Sequence, residues 1–126
     1  MLRASLLLAV VLSLAPTGLA AKTAPTLSGS WTVDLSVKPG EPYTKPMELT
    51  LNIDGTVSGS FYESEIQSGR WKNDRGRTCV SFRTSDGAGP YHTAACLVGN
   101  RVQGQTWAEQ RNFLFNWNAI RNTGKN

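Results

Sequence analysis

From residue 28 onward apolar positions recur with a period of two, in short runs separated by turn residues, and no stretch carries the spacing of an amphipathic helix. Met47, Leu49, Leu51 and Ile53 alternate with polar residues, as do Val80 and Phe82 further on. Asp54-Gly55, Asn73 to Gly76, Asp86 to Gly89 and Gly99-Asn100 punctuate the runs with residues that tolerate positive φ. The pattern predicts eight strands, over 28–36, 47–53, 56–63, 66–72, 77–84, 91–98, 101–108 and 112–121. Eight short strands joined by tight turns lose their exposed edges by closing on themselves. The expected fold class is therefore all-β, an eight-stranded antiparallel up-and-down β-barrel.

That topology assigns the connections to two ends. The turns after the second, fourth and sixth strands are tight and share one end. The long first connection, 38–46, shares the other with the turns after the third, fifth and seventh strands. A mouth is expected at this second end, rimmed by Tyr43 and Tyr91 with Ser64 and Asp86.

Cys79 lies seven residues before the Asp86 to Gly89 turn and Cys96 seven after it, so the two face each other across adjacent antiparallel strands. A disulfide between them is expected. The same register sets Val80, Phe82 and Thr84 opposite Ala95, Thr93 and Tyr91 on one face, the expected core, and Arg83 opposite His92 on the other.

The chain begins with Met1-Leu2-Arg3, an apolar run from Leu6 to Leu14, then Pro16, Gly18 and Ala20. A charged start, a short apolar segment and small residues read as a signal peptide over 1–20, too short to span a membrane, cleaved after Ala20 or Ala21. Residues 21–126 then form one domain, secreted or periplasmic, where an oxidising environment favours the disulfide. The thirteen Lys and Arg against nine Asp and Glu are spread along the chain, which argues against a nucleic-acid partner, and after cleavage no membrane partner is expected. No metal-ligand spacing or cofactor motif is present, so no metal and no cofactor are expected. The single histidine, His92, falls on the outer face, and no nucleophile or carboxylate pair is recognisable, so the reading is not an enzyme.

In order along the chain, six segments resemble the avidin family of biotin-binding barrels. GSWTVDLS from Gly29 is similar to its G-T-W-x-N-x-L-G-S strand, and DGTVSGSF from Asp54 to its second hairpin and the Gly-Thr-Tyr that follows. SGRW from Ser68 and CVSFRTSD from Cys79 are like its fourth and fifth strands. QTWAEQR from Gln105 and WNAIR from Trp117 are similar to its T-x-W and W-x-A-x-R segments.

The resemblance implies a ligand site inside the barrel. Where the family grips the ureido oxygen of biotin with an Asn, a Ser and a Tyr, this sequence carries Val33, Val37 and Phe61. Three missing hydrogen bonds at about 1–3 kcal/mol each weaken such binding roughly a thousandfold or more. Tyr62 replaces the lost tyrosine only through a bulge, and Ser36 the lost serine only through a slip of the first strand. Phe82, Trp107 and Trp117 match the family's site aromatics and form a cage for a biotin-like or apolar ring compound. The expected function is a secreted small-molecule-binding barrel, and a homodimer or homotetramer. The alternative is a secreted interaction or inhibitor protein that works through its loops, with a filled barrel. A hollow interior lined by Phe61, Phe82, Trp107 and Trp117 favours the first and a plugged one the second.

Overall fold

The computed structural model describes residues 10–11 and 26–122, so all of the predicted leader except Val10 and Val11 lies outside the described residues. The strands are β1 (Gly29–Asp34), β2 (Thr44–Leu51), β3 (Thr56–Phe61), β4 (Ser64–Glu65), β5 (Gln67–Asp74), β6 (Arg77–Thr84), β7 (Tyr91–Val98), β8 (Arg101–Ala108) and β9 (Phe113–Arg121). All pairings are antiparallel, and neighbours in sequence pair except where β5 reaches across β4 to β3. The first strand also pairs with the last, through Trp31↔Arg121 and Val33↔Ala119. The result is a closed eight-stranded barrel with an additional short strand: β5 is the fourth predicted strand, running on to Asp74, and β4 adds two residues where a turn was expected.

Period-two alternation decides what fills it. Trp31 and Val33, Met47 and Leu49, Val80 and Phe82, and Trp117 and Ala119 point inward and are buried, while the residues between them face out. The base is closed by a clasp between the first and last strands. Trp31 Nε1 donates to Leu27 O at 2.9 Å, the Arg121 guanidinium lies 4.2 Å from the Trp31 ring centroid, and Arg121 Nη1 donates to Ser28 O at 3.0 Å. A cation over an indole contributes on the order of 1 kcal/mol and fixes the register of the seam.

The second, third and fourth strands depart from their predicted bounds. The second strand starts earlier, at Thr44, and ends at Leu51, leaving Ile53 fully exposed at the tip of the following turn. Asn52 N–H bonds Thr56 O and Gly55 N–H bonds Asn52 O, so the turn is longer than the Asp54-Gly55 pair alone. The third strand stops at Phe61, because Tyr62 (φ 53°) and Glu63 (φ 64°) form a two-residue turn in the left-handed region. The fourth strand is interrupted by a bulge: pairing with β6 shifts between Gln67↔Arg83 and Arg70↔Ser81, and Ser68 has φ 53°. The bulge presses Gly69 against β3, where a Cβ would come 2.4 Å from Val57 O, so only glycine fits.

Candidate functional site

The β6–β7 register is the one expected. Cys79↔Cys96, Phe82↔Thr93 and Arg83↔His92 are paired, and Cys79 and Cys96 form a disulfide on the outer face. Inside the barrel the same register sets Val80, Phe82 and Thr84 toward the interior.

The middle of the barrel is filled. Phe61 packs 5.6 Å from Phe82 and 5.3 Å from Trp117, centroid to centroid, and all three side chains are buried. Trp117 donates its indole N–H to Thr106 Oγ1 at 2.9 Å, and Thr106 Oγ1 meets Thr93 Oγ1 at the same distance, so the buried polar atoms are satisfied.

Above this plug the barrel opens into a cup of about 660 Å³. It lies at the end carrying the long first connection, as the topology requires. Phe61, Thr84 and Thr106 contribute its floor, and Leu35, Phe113 and Phe115 its apolar wall. Tyr43, Tyr91, Ser64 and Asp86 all line it, Tyr43 from the first connection, Ser64 from the start of β4, and Asp86 and Tyr91 from the β6–β7 connection and the start of β7.

Other predicted site residues are placed differently. Trp107 is on the outer face, because Thr106 and Ala108 on either side of it point inward; its cross-strand neighbours are His92 and Leu114. Val33 is fully buried in the core and does not reach the cup. Val37 touches the cup, but from the first connection rather than from a strand: β1 ends at Asp34, and Val37 is 93 % exposed. The chain leaves the sheet there through a local turn in which Ser36 N–H bonds Asp34 Oδ1 at 2.9 Å. Ser36 and Tyr62 do line the cup. Neither a slipped strand nor a bulge brings them there; the first lies past the end of β1 and the second in the left-handed turn after β3.

Sequence reasoning missed Phe113, Phe115 and Arg111. The two phenylalanines carried a readable signal, since they stand two and four residues before the inward Trp117. Arg111 carried none, because a loop residue has no periodicity to place it.

The rim is a network of phenols and charges. Asp86 accepts the Ala88 N–H through Oδ1 at 3.0 Å and the Tyr91 O–H through Oδ2 at 3.1 Å. The Ala88 bond first, with the Tyr91 bond adding to it, holds the Asp86 carboxyl below the usual range, while partial burial pushes the Tyr91 phenol up. The Tyr43 and Tyr62 hydroxyls meet, and this contact, with some desolvation, pushes Tyr62 up to about 12. Lys45 stands 5.1 Å from the Tyr62 ring centroid and 3.7 Å from Glu63 Oε1, tying the start of β2 to the turn after β3.

Compared with protein-family models, with curated proteins and with solved structures, the chain finds no match. The barrel is compatible with a calycin-like fold. Among the described residues no group of three or more His, Cys, Asp or Glu is arranged to hold a metal ion. What the cup offers chemically is an aromatic and aliphatic wall, a threonine floor, and charge confined to the rim.

Proposed function

We propose that this protein is a secreted or periplasmic, avidin-like small-molecule-binding barrel that holds its ligand in the cup, and that it is not an enzyme. The cup itself carries the reading: a concavity of about 660 Å³ with an aromatic wall, at the one end of the barrel where connections are long enough to shape a mouth. Pockets of this size and lining suit drug-sized ligands. The cross-strand disulfide fits an oxidising compartment. The body of the ligand is an apolar ring rather than the ureido ring of biotin, since Val33 and Phe61 offer no hydrogen bond where the avidin family supplies an Asn and a Tyr. The exposed Trp107, Leu114 and Ile120 on the outside of β8 and β9 support self-association.

Titration calorimetry with phenylbutyramide and with biotin tests this. The neutral ring compound binds and biotin binds more weakly or not at all. Ser64→Phe, which fills the cup from its rim, removes the binding. Hydrogen exchange in the bound state slows at Tyr43 and Tyr91 and stays unchanged at Gly55 and Asn100. Binding that survives Ser64→Phe, or protection at the opposite end, overturns the reading.

The plug formed by Phe61, Phe82 and Trp117 favours a second reading, in which the loops engage a protein partner and the cup is incidental. No binding of either compound selects it.

A further inference from the structure

Most polar atoms at the rim are already committed to one another. Asp86 uses one oxygen on the Ala88 N–H and the other on the Tyr91 O–H, so that phenol has no proton left to give. The Tyr43 and Tyr62 hydroxyls occupy each other, and Ser36 Oγ accepts the Tyr43 N–H at 2.9 Å. At the floor, Thr106 Oγ1 is shared between Trp117 and Thr93.

Arg111 differs from all of these. It lines the cup, and among the described residues no carboxylate lies within 4.0 Å of its guanidinium. Its planar fork of N–H donors suits two-point recognition of a carboxylate. The wall beside it, Phe113 and Phe115, is hydrocarbon and aromatic.

We propose that the cup takes an amphiphile with an apolar, ring-containing body and a carboxylate head, the body against Phe113 and Phe115 and the head on Arg111. This rests on the cup being the ligand site. The negative charge of Asp86 at the same rim opposes the head, but that charge is already drawn toward two donors; Arg111 helps hold Asp86 ionised from a distance yet forms no ion pair with it, so its N–H fork is open to the head. Arg111 is exposed at the rim, so it gives about a three- to fivefold preference for the carboxylate over a neutral isostere.

The test compares three ligands of one shape, phenylbutyrate, phenylbutyramide and phenylbutylamine, by calorimetry on the purified protein and its variants. Phenylbutyrate is expected to bind about three- to fivefold more tightly than the amide, with the amine weakest. Arg111→Gln erases the difference between acid and amide and leaves the amide within about twofold, because the body still meets the same wall. Asp86→Asn strengthens the acid and not the amide. An acid that binds no better than the amide, a preference that persists in Arg111→Gln, or tightest binding by the amine overturns the assignment of Arg111 while leaving the cup as a ligand site. Binding by none of the three overturns both.

Discussion

The indole of Trp117 occupies the space that a side chain on Gly104 would need. The two residues face each other across β8 and β9, and a Cβ at Gly104 would come 2.2 Å from Trp117 Cζ2. The missing side chain lets the largest residue of β9 lie against the wall of the barrel, where Thr106 receives its N–H and Phe61 stacks on it. The depth of the cup follows from this arrangement, since the plug beneath it is built on Trp117.

Gly104→Ala should therefore cost about 1–3 kcal/mol, the usual range for overpacking a tight core. Denaturant unfolding measures it. The same variant should blue- or red-shift Trp117 emission, and Gly104→Ala together with Trp117→Phe should recover part of the loss, because the smaller ring makes room.

Removing the disulfide by Cys79→Ala with Cys96→Ala should lower stability by about 3 kcal/mol, from the chain entropy released over a sequence separation of 17. The barrel keeps its register, because the β6–β7 pairing runs from Cys79↔Cys96 to Thr84↔Tyr91 without a shift. Unfolding curves with and without reductant should reproduce the difference.

Tyr62 should ionise late. Its pKa, pushed up to about 12, is above the ordinary phenol value of about 10. Because the folded value is the higher one, the contribution of the Tyr43–Tyr62 contact is complete below about pH 10 and is lost as pH rises through about 12. Ultraviolet absorbance during alkaline titration should show this delayed phenol. Tyr43→Phe should bring it back toward the ordinary range, since the hydroxyl of Tyr43 is the main cause.

Val33→Asn, which restores the residue type the avidin family carries there, should cost about 2–4 kcal/mol and bring no gain in biotin affinity. Val33 is fully buried among hydrocarbon and does not line the cup, so a carboxamide there is desolvated without a ligand to meet it. Tight biotin binding by this variant would show that the plug moves aside.

What the sequence determined by itself was local and periodic. Alternation along 77–84 and 91–98 placed Val80 and Phe82 inside and Cys79 against Cys96, because in an antiparallel pair one turn position sets every partner and every face. Counting turns likewise put Tyr43, Ser64, Asp86 and Tyr91 at one end. The same alternation sets Trp107 outside, between the inward Thr106 and Ala108, and the pleat prevails over its resemblance to an avidin site aromatic. Only the closed tertiary structure decided how much of the interior is occupied. The plug requires Phe61, Phe82 and Trp117, from three strands, to meet at one height, and that height depends on the stagger fixed by the bulge at Ser68 and the Trp31–Arg121 clasp. The positions of Ser36, Tyr62 and Arg111 were likewise tertiary, because residues in connections follow no period and are placed by the ends of the strands they join.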